Sequence, residues 1–261
     1  MKIGLIGAGR LGICLALLIE QEGYHVIASD VREDYIKDLQ NKKINSTEPQ
    51  VQELLEHSIN LEFTTDNRKL IRESDIIFTL VQTPSLEDGS YDVSAVWKVV
   101  EDIKQEMSSI ANYPKSFVVG CTTNPGDCDQ FKDALPESVD VYYNPEFIAQ
   151  GSIVDDLRHA DMVLLGGKGQ HSGALEMIYY QIQNGFKAAN VNTMSAKAAE
   201  LTKIAVNCYL TTKITYANQV GQVMIRDGME DEVKTVLKAI GGDSRIGTKS
   251  VSYTHLRAHE T

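Results

Sequence analysis

Short apolar runs alternate with helix-like segments along most of the chain. The apolar runs are mostly continuous, which is typical of strands that helices cover on both faces. They read KIGLIG, HVIASD, LEFTT, DIIFTLV, FVVGC and VDVYYN, and the helix-like segments between them span 10–22, 32–42, 66–73, 93–107 and 127–134. This order predicts an α/β fold built on a doubly wound, mostly parallel Rossmann-type sheet.

The pattern changes near residue 193. Before that point, the run DMVLLGG and a helical segment near 171–184 extend the predicted sheet layer. Ser195 can then cap a helix without proline that ends near Arg226, and its residues would span roughly 50 Å. This long helix opens an all-α region. Its apolar face needs a partner in the chain or in a second subunit, and comprises Leu201, Ala205, Cys208, Tyr216, Val220 and Met224.

Composition excludes several classes of partner. The chain has 261 residues, 43% of them hydrophobic, and a formal net charge of -11. Such an acidic protein attracts neither a nucleic-acid backbone nor an anionic membrane, and no apolar run reaches the length of a membrane span. The four cysteines form no C-x-x-C pair. That usage fits a reducing compartment, so we expect a cytoplasmic protein.

A glycine motif follows the first predicted strand directly. In KIGLIGAGRLG, Gly7 permits the tight turn, Gly9 lets a pyrophosphate approach the backbone, and Gly12 lets helix and strand pack closely. Arg10 and Leu11 lie inside the motif, where the helix begins and its N-terminus can face phosphates. The strand–loop–helix context predicts a dinucleotide cofactor.

Asp30 closes the second predicted strand, about twenty residues after the glycines. Its carboxylate can accept hydrogen bonds from an adenosine ribose diol and would repel a 2′-phosphate, which favours NAD over NADP. Arg32, two positions later, could soften that repulsion.

The segment YYNPEFIAQGSIVDD at 142–156 puts a carboxylate just after a predicted strand. A strand that stops at proline leaves its last side chains at the sheet edge, where ligands bind in open α/β sheets. Glu146 is therefore either a solvated loop charge or a general acid or base in catalysis.

Several separated motifs together resemble the UDP-glucose/GDP-mannose dehydrogenase family, whose members oxidise a nucleotide sugar to its uronic acid. The most specific are NPEFIAQGSIVDDL at 144–157 and ELTKIAVNCYLTTKI at 200–214. The others are GAGRLG, VQTPS at 81–85, CTTNPG at 121–126 and GGDSRIG at 241–247. The resemblance covers most of the chain up to about Lys249. It implies NAD as cofactor and a UDP-sugar as substrate.

The resemblance also implies roles for residues in the first part of the chain. Glu146 would orient a catalytic water and assist proton transfer, and Thr122 would serve both catalysis and cofactor binding. The remaining cofactor contacts would be Val81, Thr83, Pro84 and Gln150. The wall against the sugar nucleotide would be Glu146, Phe147, Ile148, Ala149 and Gln150.

Three residues near the end of the chain complete the implied site. Lys203 and Asn207 lie one helical turn apart, so their side chains reach the same place. In the family this pair holds the reacting sugar: the lysine stabilises the developing alkoxide or takes its proton, and the asparagine positions a water. Arg245 matches an arginine that reaches the ligand of a neighbouring subunit. Separately, the apolar face of the long helix predicts a homodimer formed through that helix.

The chain departs from the family pattern in three places. Gln150 stands where the family most often has a second glutamate, and Tyr35 where some relatives have a basic residue. Members of the family perform two successive hydride transfers. In the family the second transfer needs a cysteine thiolate in a glycine-rich motif after the RIG segment, and none of the four cysteines here occupies that position. His255 and His259 make too weak a pair for a metal site, so no metal is expected.

These observations predict an NAD-binding domain at 1–192, an incomplete helical dimerisation region at 193–249 and a non-native tail at 250–261. The leading hypothesis is NAD-dependent oxidation of a UDP-sugar, of the UDP-glucose or UDP-N-acetylhexosamine type, to its uronic acid. We expect this chain to be a fragment without the catalytic cysteine, able to bind NAD but inactive. Two alternatives stay open: a two-electron β-hydroxyacid-type dehydrogenase, and a non-catalytic NAD-binding or dimerisation module.

Overall fold

A computed structural model describes residues 1–109, 113–148, 151–183 and 191–247. The chain divides into two compact units after Leu201. The first unit contains the sheet and its covering helices, and the second contains most of the long helix and the shorter helices after it.

One eight-stranded sheet forms the centre of the first unit, in the order β3-β2-β1-β4-β5-β6-β7-β8. All neighbouring pairs are parallel except β6 and β7, which are antiparallel. The strands are β1 (Lys2–Ile6), β2 (His25–Ser29), β3 (Leu61–Thr64), β4 (Ile76–Thr79), β5 (Lys115–Val119), β6 (Val139–Tyr143), β7 (Val163–Gly166) and β8 (Val191–Met194). The predicted doubly wound, mostly parallel sheet is confirmed.

Helices connect the strands and cover the sheet. In the first unit they are α1 (Arg10–Gln21), α2 (Glu33–Gln40), α3 (Val51–His57), α4 (Asn67–Glu73), α5 (Ser94–Ser109), α6 (Asp127–Ala134), α7 (Ile153–Arg158) and α8 (Ser172–Ile182). The long helix α9 (Ala196–Arg226) begins there and continues into the second unit, which adds a short 3-10 turn (Glu230–Glu232) and α10 (Val233–Gly242). The sequence predicted these helices except α3, α7 and α10, and it missed strand β8.

The core consists of two apolar clusters, one on each face of the sheet. Residues alternate between them along each strand, as the period of a strand requires. In β4, Phe78 belongs to the cluster that contains helix α1, while Ile77 belongs to the cluster that contains helix α5. Because both faces are covered, both sets of strand residues must be apolar, which explains the continuous apolar runs in the sequence.

The start of α9 is tied into the first unit. Ser195 caps the helix as predicted, since its Oγ accepts a hydrogen bond from the Ala198 amide at 3.3 Å. One turn later Glu200 is fully buried, and its carboxylate accepts hydrogen bonds from Thr123 Oγ1 at 2.9 Å and from two backbone amides. These amides belong to Gly126, at 2.6 Å, and Cys128, at 2.9 Å. These hydrogen bonds connect the loop after β5 and the first turn of α6 to the start of the long helix.

The second unit has a small core of its own, formed by Ala217, Met224, Val233 and Leu237. The predicted apolar face of α9 is only partly covered within this unit: Val220 packs against the core, whereas Tyr216 is 51% exposed. Within the described residues, no helix combines the length and the apolar character that crossing a membrane requires.

Candidate functional site

The glycine motif forms a tight loop between β1 and α1. The amides of Gly7 and Ala8 both donate to the carbonyl of Ser29, at 2.9 and 2.8 Å, so the loop closes against the end of β2. Gly7 has a φ of +97°, a left-handed conformation that L side chains rarely adopt. Gly12 lies so close to Gly7 that an added Cβ would stand 2.0 Å from the Gly7 carbonyl oxygen. These two glycines are needed by the fold itself.

Gly9 differs from the other two glycines of the motif. It precedes α1 with no side-chain cap, and a Cβ added to it would meet nothing within 4 Å. The space beside Gly9 at the N-terminus of α1 is therefore open, which suits a phosphate group. Arg10 and Leu11 form the first positions of α1; Arg10 is exposed, and Leu11 packs against the core.

Asp30 lies at the end of β2, but its carboxylate already has a partner. Arg32 donates to both carboxylate oxygens, from Nε at 2.8 Å and from its terminal nitrogen at 2.9 Å. Burial alone would raise the pKa of Asp30; the hydrogen bonds and charge of Arg32 outweigh it and lower the pKa below its usual value. The Arg32 guanidinium also stacks 4.1 Å from the centre of the Tyr35 ring. A ribose diol that binds Asp30 must compete with Arg32.

A cavity of about 270 Å³ opens beside this ion pair. Arg10, Arg32, Tyr35 and Asp38 line it together with the loop residues 44–47. Guanidinium groups, hydroxyls and an aromatic ring suit an adenosine with its phosphates. We take this cavity as the candidate for the adenosine end of the cofactor site.

The next two predicted cofactor segments follow β4 and β5. Leu80 N donates to the Ile6 carbonyl and Gly120 N to the Thr79 carbonyl, at 2.8 and 2.9 Å, so the strand ends remain in register. Val81, Thr83 and Thr122 are half-buried just beyond these ends, while Pro84 is exposed. In parallel sheets these ends share one edge, where ligands of open α/β sheets bind.

Glu146 follows β6 at the same edge and is held in a defined position. The Tyr179 hydroxyl lies 2.7 Å from Glu146 Oε1 and also contacts the side-chain oxygen of Asn144. Asn144 is itself buried and donates from Nδ2 to the Leu164 carbonyl at 3.0 Å. Burial, followed by the charge of Glu146, raises the pKa of Tyr179 well above its usual value, so the phenol keeps its proton. Glu146 is half-buried and anchored.

The rest of the predicted substrate wall is described only in part. Phe147 packs partly buried against one apolar cluster and Ile148 against the other. Ala149 and Gln150 lie outside the described residues, so the predicted effect of Gln150 stays a prediction. The same holds for the tail at 250–261, with His255 and His259.

Lys203 and Asn207 are half-buried, one turn apart on α9. Both belong to the second compact unit, whereas Glu146 and the glycine loop belong to the first. That the two sets converge on one ligand stays a prediction. Arg245 follows α10, is 87% exposed in its side chain and donates to both carboxylate oxygens of Asp243, at 3.0 and 2.7 Å. The sequence did not indicate that Asp243 pairs with Arg245.

Three of the four cysteines are poor nucleophiles. Burial raises the pKa of the Cys14 and Cys121 thiols to about 12, and it raises the pKa of Cys128 well above the usual value. These thiols stay protonated near neutral pH, and the thiolate is the nucleophilic form. Cys208 is exposed on α9. Within the described parts of the chain, no group of three or more His, Cys, Asp or Glu side chains could hold a metal ion.

Sequence reasoning missed three residues that hold this site together: Tyr179, Glu48 and Glu200. Tyr179 had a detectable signal, because it shares the apolar side of α8 with Leu175 and Ile182, and a buried tyrosine needs a hydrogen-bond partner. The two glutamates had no such signal. Each is buried by contacts with segments that lie far away in the sequence.

The fold and the glycine loop define a dinucleotide-binding domain of the Rossmann type. Residues 1–183 match the NAD binding domain of the UDP-glucose/GDP-mannose dehydrogenase family, and residues 197–254 match its central domain. The chain belongs to this family, and its cofactor is NAD.

The chain is also similar to individual proteins. The chain is 32% identical over 253 residues to an uncharacterized protein of Methanocaldococcus jannaschii. That match covers 95% of this chain and 28% of the other protein. The chain is 29% identical over 258 residues to the UDP-glucose 6-dehydrogenase TuaD of Bacillus subtilis, with 95% and 54% covered. A UDP-glucose dehydrogenase structure from Pyrobaculum islandicum superposes with a TM-score of 0.87 at 26% identity, covering 97% of this chain and 59% of that one. The chain thus spans about half the length of these dehydrogenases.

The glycine loop yields a paired prediction. Gly9→Ala should leave the free energy of unfolding within about 1 kcal/mol of the wild type, since the new methyl group meets only open space. It should weaken NAD binding at least about tenfold, because the methyl group occupies the approach of the pyrophosphate. Gly12→Ala should instead cost about 2 kcal/mol or more of stability, since its methyl group meets backbone. Urea denaturation and calorimetric titration with NAD measure both effects. Undiminished NAD binding by Gly9→Ala would contradict the assignment of the loop.

A second prediction concerns the anchor of Glu146. Tyr179→Phe keeps the buried ring but leaves Asn144 and Glu146 without the hydroxyl, so it should lower the free energy of unfolding by about 1–3 kcal/mol. The matched control is Tyr180→Phe, because Tyr180 is the next residue and is 48% exposed. That control should stay within about 0.5 kcal/mol of the wild type in urea denaturation. Equal stability of the two variants would mean that the hydroxyl does not anchor Glu146.

Proposed function

We propose that the protein to which this chain belongs oxidises a UDP-sugar, of the UDP-glucose or UDP-N-acetylhexosamine type, to its uronic acid with NAD. The observation that supports this most directly is the anchored Glu146 after β6, on the edge of the sheet that also carries the glycine loop. A solvated loop charge would not need a fully buried phenol to hold it.

Bound NAD supplies the hydride acceptor for this chemistry. In the first oxidation, the sugar alcohol loses a hydride from carbon and a proton from oxygen and becomes an aldehyde. Lys203 takes that proton or stabilises the alkoxide, and Asn207, one turn away, positions an ordered water. A lysine can serve in this way because its amine exchanges protons readily once it is partly desolvated.

The second oxidation converts the aldehyde to an acid and requires a thiolate, a water and a second NAD that would accept the second hydride. We assign Glu146 to orienting that water and exchanging a proton with it, and Thr122 to the cofactor side of the same edge. The thiolate is not assigned to this chain, because none of its four cysteines matches the family position and three are held in the thiol form by burial. We therefore expect the chain alone to bind NAD without forming uronic acid.

We also propose that the parent protein is a homodimer joined through α9, with Arg245 reaching the ligand bound by the second copy. Large apolar side chains exposed on the second unit support this proposal. On α9 they include Tyr209, Leu210, Tyr216 and Val223, exposed by 40% or more. We also propose that the parent protein is located in the cytoplasm.

Ligand binding to the NAD-loaded chain tests the proposed substrate. Saturation-transfer NMR should detect the sugar protons of UDP-glucose or UDP-N-acetylglucosamine. Lys203→Ala should weaken that binding about tenfold, since it removes a charged hydrogen-bond donor. Lys234→Ala is the control: Lys234 is an exposed lysine on α10, and its loss should leave sugar binding unchanged.

The binding experiment, together with an assay for NADH formation, separates the rival functions. A β-hydroxyacid dehydrogenase needs no cysteine, so the chain would form NADH from a simple hydroxyacid and would not respond to either UDP-sugar. A cofactor-binding module would bind NAD but would bind neither UDP-sugar. Either result would contradict the proposed function.

A further inference from the structure

We propose that Glu48 is a positioning residue that connects the segment at 151–157, at the start of α7, to the loop lining the adenosine end of the candidate cofactor site, so that cofactor binding orders residues 151–157. The proposal rests on the proposed function for the identity of the two ligands. The contacts that carry it involve only residues of the first compact unit.

Glu48 is a buried carboxylate, 4% exposed, in the loop between α2 and α3. Both of its oxygens accept hydrogen bonds from the Gly151 amide, at 2.9 and 3.0 Å, and one also accepts from the Ile153 amide at 3.3 Å. These described partners are backbone amides at the start of α7, about a hundred residues away in the sequence. A buried carboxylate is costly unless such donors satisfy it, so this contact fixes both segments.

A second pair of contacts joins the same two segments. Gln50 donates from Nε2 to Asp155 at 2.8 Å, and Arg158 donates to the side-chain oxygen of Gln50 at 2.6 Å. Gln50 has a φ of +68°, which is uncommon for a residue other than glycine. Its side chain therefore holds α7 from a constrained backbone position, and Glu48 does not act alone.

The other end of the fastened loop forms the cofactor cavity. Asn45, Ser46 and Thr47, the three residues before Glu48, line the cavity of about 270 Å³ that also contains Arg10 and Arg32. The Glu48 amide donates back to Ser46 Oγ at 3.1 Å, so the lining residues and the carboxylate form one turn. A ligand that orders residues 45–47 thereby orders Glu48.

One short loop thus lines the candidate adenosine cavity and also binds the backbone amides of Gly151 and Ile153. Gly151 comes directly after the wall residues 146–150, and Ile153 begins α7. Coupling between two ligands is reciprocal, so a sugar nucleotide that orders this segment should also tighten NAD binding.

Hydrogen–deuterium exchange of the full chain, with and without NAD, tests the proposal. In the wild type, NAD should slow exchange both in the glycine loop at 7–12 and in the segment at 151–157. In Glu48→Ala, exchange at 151–157 without ligand should rise roughly tenfold, because its amides lose a charged acceptor. NAD should still protect residues 7–12 in this variant but no longer protect residues 151–157.

Two further variants separate positioning from general destabilisation. Glu48→Gln keeps one oxygen that can accept from both amides, so its exchange at 151–157 should lie between wild type and Glu48→Ala; it also replaces the alanine variant if that one fails to fold. Glu53→Ala removes an exposed glutamate from α3 and should behave as wild type.

Unchanged exchange at 151–157 in Glu48→Ala would overturn the proposal, as would continued protection of that segment by NAD. A uniform rise over the whole first unit would also overturn it, because that result indicates lost stability alone. If wild type fails to bind NAD, the cofactor assignment and the proposed coupling both fail. Exchange in the ligand-free variants would then show separately whether Glu48 holds the segment.

Discussion

The parallel alignment of β1, β2, β4, β5 and β6 is the constraint on which the rest of the first unit depends. Parallel strands end at a common edge, so each loop that follows them starts from the same side of the molecule. The glycine loop follows β1, Asp30 follows β2, and Glu146 follows β6. Because helices cover both faces of the sheet, the strands consist mainly of apolar residues. Polar residues that could bind ligands therefore lie beyond the carboxyl ends of the strands.

Two buried glutamates hold the loops at that edge without cations among their described partners. Glu200 receives amides and a hydroxyl from the loop between β5 and α6, and Glu48 receives amides from the start of α7. In both cases most donors are fixed by the backbone, so the carboxylate acts as a clamp between segments distant in sequence. The loops that would contact cofactor and sugar are thus positioned by carboxylates from other parts of the chain, which suits preorganised binding.

The sequence predicted the sheet well because the apolar runs of buried strands are unambiguous. It missed β8, whose residues VNTM are half polar and pair with β7 at the outer edge of the sheet. It missed α7, which has six residues and lies directly after the Glu146 motif. Short or edge elements take their structure from tertiary contacts more than from local pattern.

For the site, local motifs identified the residues that would contact ligands, while their supports remained hidden. The glycines and Asp30 follow from spacing alone, and Glu146 from its position after a strand. The pairing of Asp30 with Arg32 is a matter of side-chain geometry, and the sequence indicated only that the charges are close. Glu48 and Glu200 look like surface charges in a chain with 36 acidic residues, and only the folded structure distinguishes them.

The central claim is that NAD binds at the glycine loop and Asp30. A crystal structure of this chain, from crystals grown with NAD, tests it most directly. The account predicts the pyrophosphate over Gly9 at the start of α1, and the adenosine ribose on Asp30, with Arg32 displaced from at least one carboxylate oxygen. NAD bound elsewhere, or a ribose that leaves the Asp30–Arg32 pair intact, would contradict it.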